Sequence, residues 1–255
     1  MLKKSLLVAA LTAAFATPAM AGDSPVSFNA GLVSDYLVRG ISQTSAKPAL
    51  QAGVDYAHES GFYLGAWGSN ISWITDFGAT GTANIEIDTY GGFSNSINDD
   101  TKYNVGYIRY NYLGSYTPAS GTVKADTQEI YGAMTYKWLT AKYSYSLGDF
   151  LTVANAKGTN YIELNGSFPF EEMGFNLDVH AGKQTYVGKD ADNLAASGTS
   201  ASYSDYSVKV SKDFSGYVVG AMYSSTNASG FYTTPSPKNK KLGRSTVVLS
   251  VTHSF

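Results

Sequence analysis

The residues able to do acid–base, nucleophilic or metal chemistry in this 255-residue chain are few and poorly spaced for it. Cysteine is absent, which removes thiolate nucleophiles, thiolate metal sites and disulfides together. The three histidines, His58, His180 and His253, show no His-x-x-x-His or glutamate-paired spacing for zinc. A serine–histidine pair acting on acyl chains at the outer wall of a barrel would need an outward histidine. His180, two residues from Asp178, falls on the inward phase of its strand. Asp190, Asp192 and Asn193 resemble the opening of a calcium loop, but its glycine and closing glutamate are missing, so a solvated loop is expected. Gly91-Gly92 lacks the strand-to-helix context of a phosphate loop. No catalytic, cofactor or metal site is therefore expected. A net charge of -2 gives no reason to expect nucleic acid as a partner.

What remains is charge set out at alternate positions. Asp35, Asp55, Glu86, Asp88, Glu129, Glu163, Asp178 and Asp205 lie on the phase opposite their apolar neighbours, with Lys142 and Lys209 among them and Lys137 near one rim. Acids outnumber bases, and a lumen so lined concentrates cations over about a Debye length. Passage of ions or small hydrophilic solutes with weak cation preference is the expectation. The competing one is that these charges pair across a narrow, filled interior, since about eight strands give a filled barrel and sixteen to eighteen an open one. Arg39 and Asp35 stand where the first strand meets the first long loop. They could line the pore mouth, fold the loop inward as a constriction, or form a loop-anchoring salt bridge, and the last is favoured because such pairs are common and worth about 0–1 kcal/mol each.

The elements that would position these groups show in the period of the sequence. With 20 Tyr, 12 Phe and 26 Gly, the chain is biased toward strands and turns. Leu50, Ala52, Val54 and Tyr56 oppose Gln51, Gly53 and Asp55; Ile85, Ile87 and Thr89 oppose Glu86, Asp88 and Tyr90. Ile130 and Met134 oppose Glu129 and Tyr131, and Ile162, Leu164 and Phe168 oppose Tyr161, Glu163 and Asn165. Alternation of this kind over spans of about ten residues suits a wall with lipid on one side and water on the other. About twelve such spans fit, near 25–36, 48–58, 62–73, 84–94, 101–113, 126–136, 139–147, 159–169, 175–186, 201–212, 216–226 and 244–255. Tight connections, at 59–61, 95–100, 137–138, 170–174 and 213–215, alternate with long ones, as in outer-membrane barrels. Tyr56, Phe62, Phe93, Tyr103, Trp138, Phe168, Phe175, Phe214, Tyr217 and Phe255 cluster at the tight turns, where amphipathic rings favour the headgroup level. Strict alternation would send Arg109 outward, so a bulge at Gly106 is expected to switch the phase and turn Ile108, Tyr110 and Tyr112 toward lipid instead.

Lys3 and Lys4, an apolar run from Leu6 to Ala16, and Ala19 and Ala21 form the three parts of a secretory signal peptide, so residues 1–21 are expected to be removed and 22–255 to form one all-β transmembrane antiparallel up-and-down barrel. No later stretch has the length of an apolar spanning helix. In the last strand Val247, Leu249, Val251, His253 and Phe255 share one face.

Gly31-Leu32-Val33-Ser34-Asp35-Tyr36-Leu37-Val38-Arg39-Gly40-Ile41-Ser42-Gln43, continuing through Lys47-Pro48-Ala49-Leu50-Gln51 to Tyr56-Ala57-His58-Glu59-Ser60-Gly61-Phe62-Tyr63, resembles the N-terminal signature of the TorF-like porins of bacterial outer membranes. The resemblance implies an outer-membrane barrel with a porin role and supplies no particular solute. The final strand is similar to those of other outer-membrane proteins, which implies that it serves as the signal for the barrel-assembly machinery during insertion. Two other functions remain in view: a closed barrel whose long loops bind a ligand or surface partner, and a soluble periplasmic β-protein.

Overall fold

The structure, a computed structural model, describes residues 24–228 and 230–255. The expected signal peptide lies outside the described residues. Twelve antiparallel strands close into a barrel. They are β1 (Val26–Val33), β2 (Ala49–Ala57), β3 (Phe62–Asn70), β4 (Ile85–Ser96), β5 (Thr101–Leu113) and β6 (Thr127–Tyr136). The second half comprises β7 (Leu139–Ser146), β8 (Asn160–Phe170), β9 (Phe175–Thr185), β10 (Tyr203–Phe214), β11 (Tyr217–Thr226) and β12 (Thr246–Ser254). Each strand pairs with its neighbours in sequence, and β1 closes on β12 from Asn29↔Ser254 to Val33↔Ser250. Closure satisfies every edge, which a lipid-embedded sheet requires.

The period-two pattern decides the two faces. Leu50, Leu64, Ile130, Ile162, Val247 and Leu249 are exposed on the outside, while Gln51, Glu86, Glu129, Glu163 and Lys209 are buried on the inside. At the tight-turn end the expected aromatic ring is present, with contacts at Phe62–Phe93 (4.9 Å), Trp138–Phe168 (4.7 Å) and Phe170–Phe175 (4.7 Å). Phe255 and His253 meet at 4.6 Å, and the His253 ring stacks on Tyr217. Lys137-Trp138 is a two-residue turn between β6 and β7, with Lys137 at φ 53°. Ser215 and Gly216 join β10 to β11 with both φ angles positive, the geometry that matches strand twist in a two-residue hairpin.

Two expectations about the barrel wall fail. There is no bulge at Gly106: pairing runs unbroken through Gly92↔Gly106 on one side and Tyr131↔Gly106 on the other. Arg109 is consequently exposed outside, while Ile108 is buried inside at 1 % exposure and Tyr110 and Tyr112 also turn inward. Gly106 serves clearance rather than phase, because a Cβ there would strike the ring and hydroxyl of Tyr131. Arg109 lies toward the long-loop end of β5, where an outward arginine costs little, and its Nε donates to Asn111 Oδ1 at 2.8 Å. The second failure is at Asp35. β1 ends at Val33, and Asp35 belongs to the inward-folded loop rather than to the barrel wall.

The long connections carry structure of their own. Short helices span α1 (Trp73–Asp76) and α2 (Lys189–Ala196), the second where a solvated loop was expected around Asp190, Asp192 and Asn193. A core at this end of the barrel gathers Tyr36, Ile41, Trp73, Ile74, Tyr112, Tyr116, Tyr203, Tyr232 and Leu242.

Candidate functional site: a loop-plugged acidic lumen

The first connection turns into the barrel as a small hairpin, Leu37–Val38 paired with Ile41–Ser42. Its tip is Arg39-Gly40, at φ 49° and 77°, the pair of positive angles a two-residue hairpin needs. Glycine is required at the second position, since a Cβ on Gly40 would come within 2.8 Å of Asp205 Cβ. The turn therefore places Arg39 inside the lumen.

Arg39 does not pair with Asp35. Its guanidinium grips Glu129 through Nη2 to Oε2 at 2.7 Å and Nη1 to Oε1 at 3.1 Å, and Nη1 also donates to Gln184 Oε1 at 2.8 Å. The two side chains are 12 % and 1 % exposed, so this is an ion pair removed from water. The guanidinium carbon sits 4.4 Å from the Tyr161 ring centroid, a cation–π contact, and Tyr110 donates to Glu129 Oε2 at 3.1 Å. The sequence expectation of a loop-anchoring Asp35–Arg39 bridge is thus corrected. Alternation could not show it, because the partner lies on a strand 90 residues away.

Asp35 instead accepts from Ser42 Oγ at 2.6 Å and Thr44 Oγ1 at 3.1 Å, with Arg244 3.5 Å away. Burial pushes its carboxyl above the usual range, against the pull of these partners. The plug is tied sideways as well. Ser42 donates its backbone N–H to Leu242 O, Ser72 does so to Gln43 O, Ser45 hydrogen-bonds Asp76, and Lys238 reaches Asp76 at 2.7 Å.

Below the plug a polar network crosses the lumen. Lys142 and Glu163 lie 3.4 Å apart, Glu163 faces His180 at 3.8 Å, and His180 Nε2 meets Asp205 Oδ2 at 2.9 Å. Tyr161 donates to Asp205 at 2.9 Å, while His180 Nδ1 contacts Asn165 Oδ1 at 2.7 Å. Toward β2–β6, Tyr90 donates to Asp55 at 2.7 Å, Tyr63 to Asn104 at 2.7 Å and Tyr36 to Glu86 at 3.0 Å, and the Tyr63 and Tyr131 hydroxyls touch. Asp178 accepts from Ser167 and Asn176, opposite Lys209 in register. Asp55, Glu86, Asp88, Glu129, Lys142, Glu163, Asp178 and Lys209 all stand on the inward face, while Lys137 pairs with Asp100 at the turn rim. None of Asp55, Glu86 and Asp88 has a basic partner within 4 Å among the ion pairs of the described residues. Among the described residues no group of histidines and carboxylates has metal-holding geometry.

The inward tyrosines and Gln184 were not picked out as site residues from the sequence. Their signal was present in part: Tyr90, Tyr131 and Tyr161 share the phase of Asp88, Glu129 and Glu163 on their own strands.

A closed, antiparallel twelve-stranded barrel with a polar, charge-lined interior defines the class by fold: an up-and-down β-barrel. Among solved structures it is similar to the KdgM porin, at TM-score 0.52 and 8% identity over 90% of this chain and 98% of that one. The KdgM porin in complex with disordered oligogalacturonate matches at TM-score 0.51 and 8% identity, again over 90% of this chain and 98% of that one. The NanC porin matches at TM-score 0.50 and 10% identity over 90% of this chain and 98% of that one. At such identities the likeness is one of fold. The chain belongs to the bacterial family of unknown function called Gcw_chp, whose pattern matches residues 18–255. No curated protein matches it.

Proposed function

We propose that this protein is an outer-membrane channel for ions and small hydrophilic solutes, weakly cation-preferring and held narrow by its own first loop. The observation that carries the reading is the charge balance of the lumen: Asp55, Glu86, Asp88, Glu129, Glu163, Asp178 and Asp205 face inward against Arg39, Lys142 and Lys209. Net negative charge in a water-poor passage favours cations. A polyanion such as the oligogalacturonate held by the KdgM porin would meet the unfavourable sign here. The outer-membrane location is supported by the outward apolar residues and the aromatic ring at the tight turns. The likeness of the first two hairpins to the TorF-like porins points the same way.

Reconstitution in a planar bilayer under a potassium chloride gradient tests this. The expected result is small conductance steps with a reversal potential on the cation-selective side; an anion-selective reversal refutes it. A second reading, a non-conducting barrel whose loops bind a partner, draws on the packed plug, and silence that persists after Arg39 is replaced would favour the closed barrel. The face of Val247, Leu249, Val251, His253 and Phe255 suits an insertion signal for the assembly machinery. Deleting Phe255 should reduce the heat-modifiable, folded species in outer membranes, and undiminished folding would end that assignment.

A further inference from the structure

On the long-loop side of the Arg39–Glu129 pair lies a cavity of about 140 Å³. All six long connections and the ends of β5 and β10 converge on it, the fifth through Tyr186, and aromatic rings dominate its wall: Trp73, Phe77, Tyr112, Tyr116, Phe150 and Phe231. Trp73 meets Phe77 and Tyr112 edge-on, with centroids at 6.3 and 5.5 Å, so the rings are fixed by each other as well as by the backbone.

Most of the polar groups that reach this wall are engaged elsewhere; among the described residues the Trp73 indole N–H is buried without a partner. Gln43 Nε2 donates to Ile41 O at 2.9 Å, Thr127 Oγ1 to Asp149 O at 2.7 Å and Tyr232 to Ala201 O at 2.5 Å. Tyr116 accepts from the Ala125 N–H at 2.9 Å. Gln184 is held between Arg39 and Asn160 O, and the charge of Arg39 is met by both oxygens of Glu129. A sugar or an ion entering the cavity would give up water and gain few hydrogen bonds in return, each unmade bond costing about 1–3 kcal/mol. An apolar ring loses nothing of the kind and gains ring–ring contact. The size fits too, since an apolar protein cavity of about 150 Å³ holds benzene.

We propose that this loop-side cavity is a binding site for a small, uncharged, single-ring aromatic molecule. It stands apart from the channel reading, because the site lies outside the carboxylate-lined passage and its occupancy is read without conductance. Bound there, the molecule would pack the six long connections against one another.

Fluorine NMR of fluorobenzene, titrated against the full chain in detergent micelles, tests the proposal, with empty micelles as the partition control and 2-fluoro-2-deoxyglucose as the polar comparison. The expected result is a saturable fluorobenzene shift beyond micelle partition, weakened at least about tenfold by Ala119→Phe or Val123→Phe, and no saturable sugar response. Both replaced residues line the cavity, and a phenyl group on either fills it. Fluorobenzene binding that ignores both substitutions, a shift no larger than in empty micelles, or stronger sugar binding overturns it. Should a filled variant lose its heat-modifiable mobility, intermolecular NOEs to the unsubstituted protein decide: contacts to the Trp73 indole protons support the site, and their absence overturns it.

Discussion

Replacing Arg39 with methionine removes the cation that holds the plug while keeping a side chain of similar length. Glu129 is then left 1 % exposed without its paired guanidinium, retaining the Tyr110 hydroxyl at 3.1 Å and the more distant charge of Lys142. Stranding one partner of a buried ion pair costs about 3–5 kcal/mol. Loss of the contact over Tyr161 adds about 0.5–2 kcal/mol. The cheapest relief is for the hairpin at Leu37–Ser42 to leave its seat and admit water to Glu129. At 1.4 kcal/mol per tenfold, the pair alone shifts the seated-to-released ratio by roughly two to three and a half orders of magnitude. Two assays read it: open probability in a planar bilayer, and amide exchange protection across residues 34–48. Both should move toward the released state in Arg39→Met and return most of the way in the Arg39→Met/Glu129→Leu double variant, because replacing both members of a buried pair with apolar groups is close to neutral. Unchanged exchange and conductance in the single variant, or a double variant no better than the single, would show that the ion pair does not seat the plug.

Glu86→Gln with Asp88→Asn removes two inward carboxylates that lack basic partners and should move the reversal potential toward zero; an unchanged potential places them off the conducting path. Gly182→Ala forces Tyr161 away, since the added carbon would strike its hydroxyl. That should loosen Arg39 and Asp205 together at a cost of about 1–3 kcal/mol, seen as a lower unfolding midpoint and faster exchange at 34–48, and wild-type behaviour would contradict the contact. The Asp76 carboxyl is held below the ordinary aspartate range: burial pulls it up, and the stronger opposing pull comes from hydrogen bonds with Lys238, Ser45 and Ser72 and from the Lys238 charge. A lowered folded-state value means its stabilisation is complete above the unfolded value of about 3.9 and is lost as pH falls through the folded value. Protection factors in 71–84 and 227–245 should hold from neutrality to about pH 5 and fall below about pH 4; in Asp76→Asn that acid step should vanish, and its persistence would assign it to another group.

The sequence by itself determined the wall. A strand between lipid and water repeats every two residues, so Leu50 with Val54, Ile130 with Met134 and Val247 with Leu249 announce their outward face, and Glu86, Glu129 and Glu163 their inward one. The tight turns and their aromatic ring are also local, and Lys137-Trp138 needed only its two flanking strands. Val38-Arg39-Gly40-Ile41 read only as part of the first long loop, and nothing in it said that it would form a hairpin or which way that hairpin would point. Closure decided that. Only when β1 meets β12 does the first loop stand over an interior that contains Glu129, Gln184 and Tyr161, contributed by strands far along the chain. The same closure overruled the bulge at Gly106, because pairing on both flanks and the Tyr131 ring against it fix the register, leaving Arg109 outside near the rim, where its charge is tolerated. Period-two patterning is written residue by residue, whereas a plug, a buried ion pair and an aromatic cavity are made of groups that share no period and meet only in three dimensions.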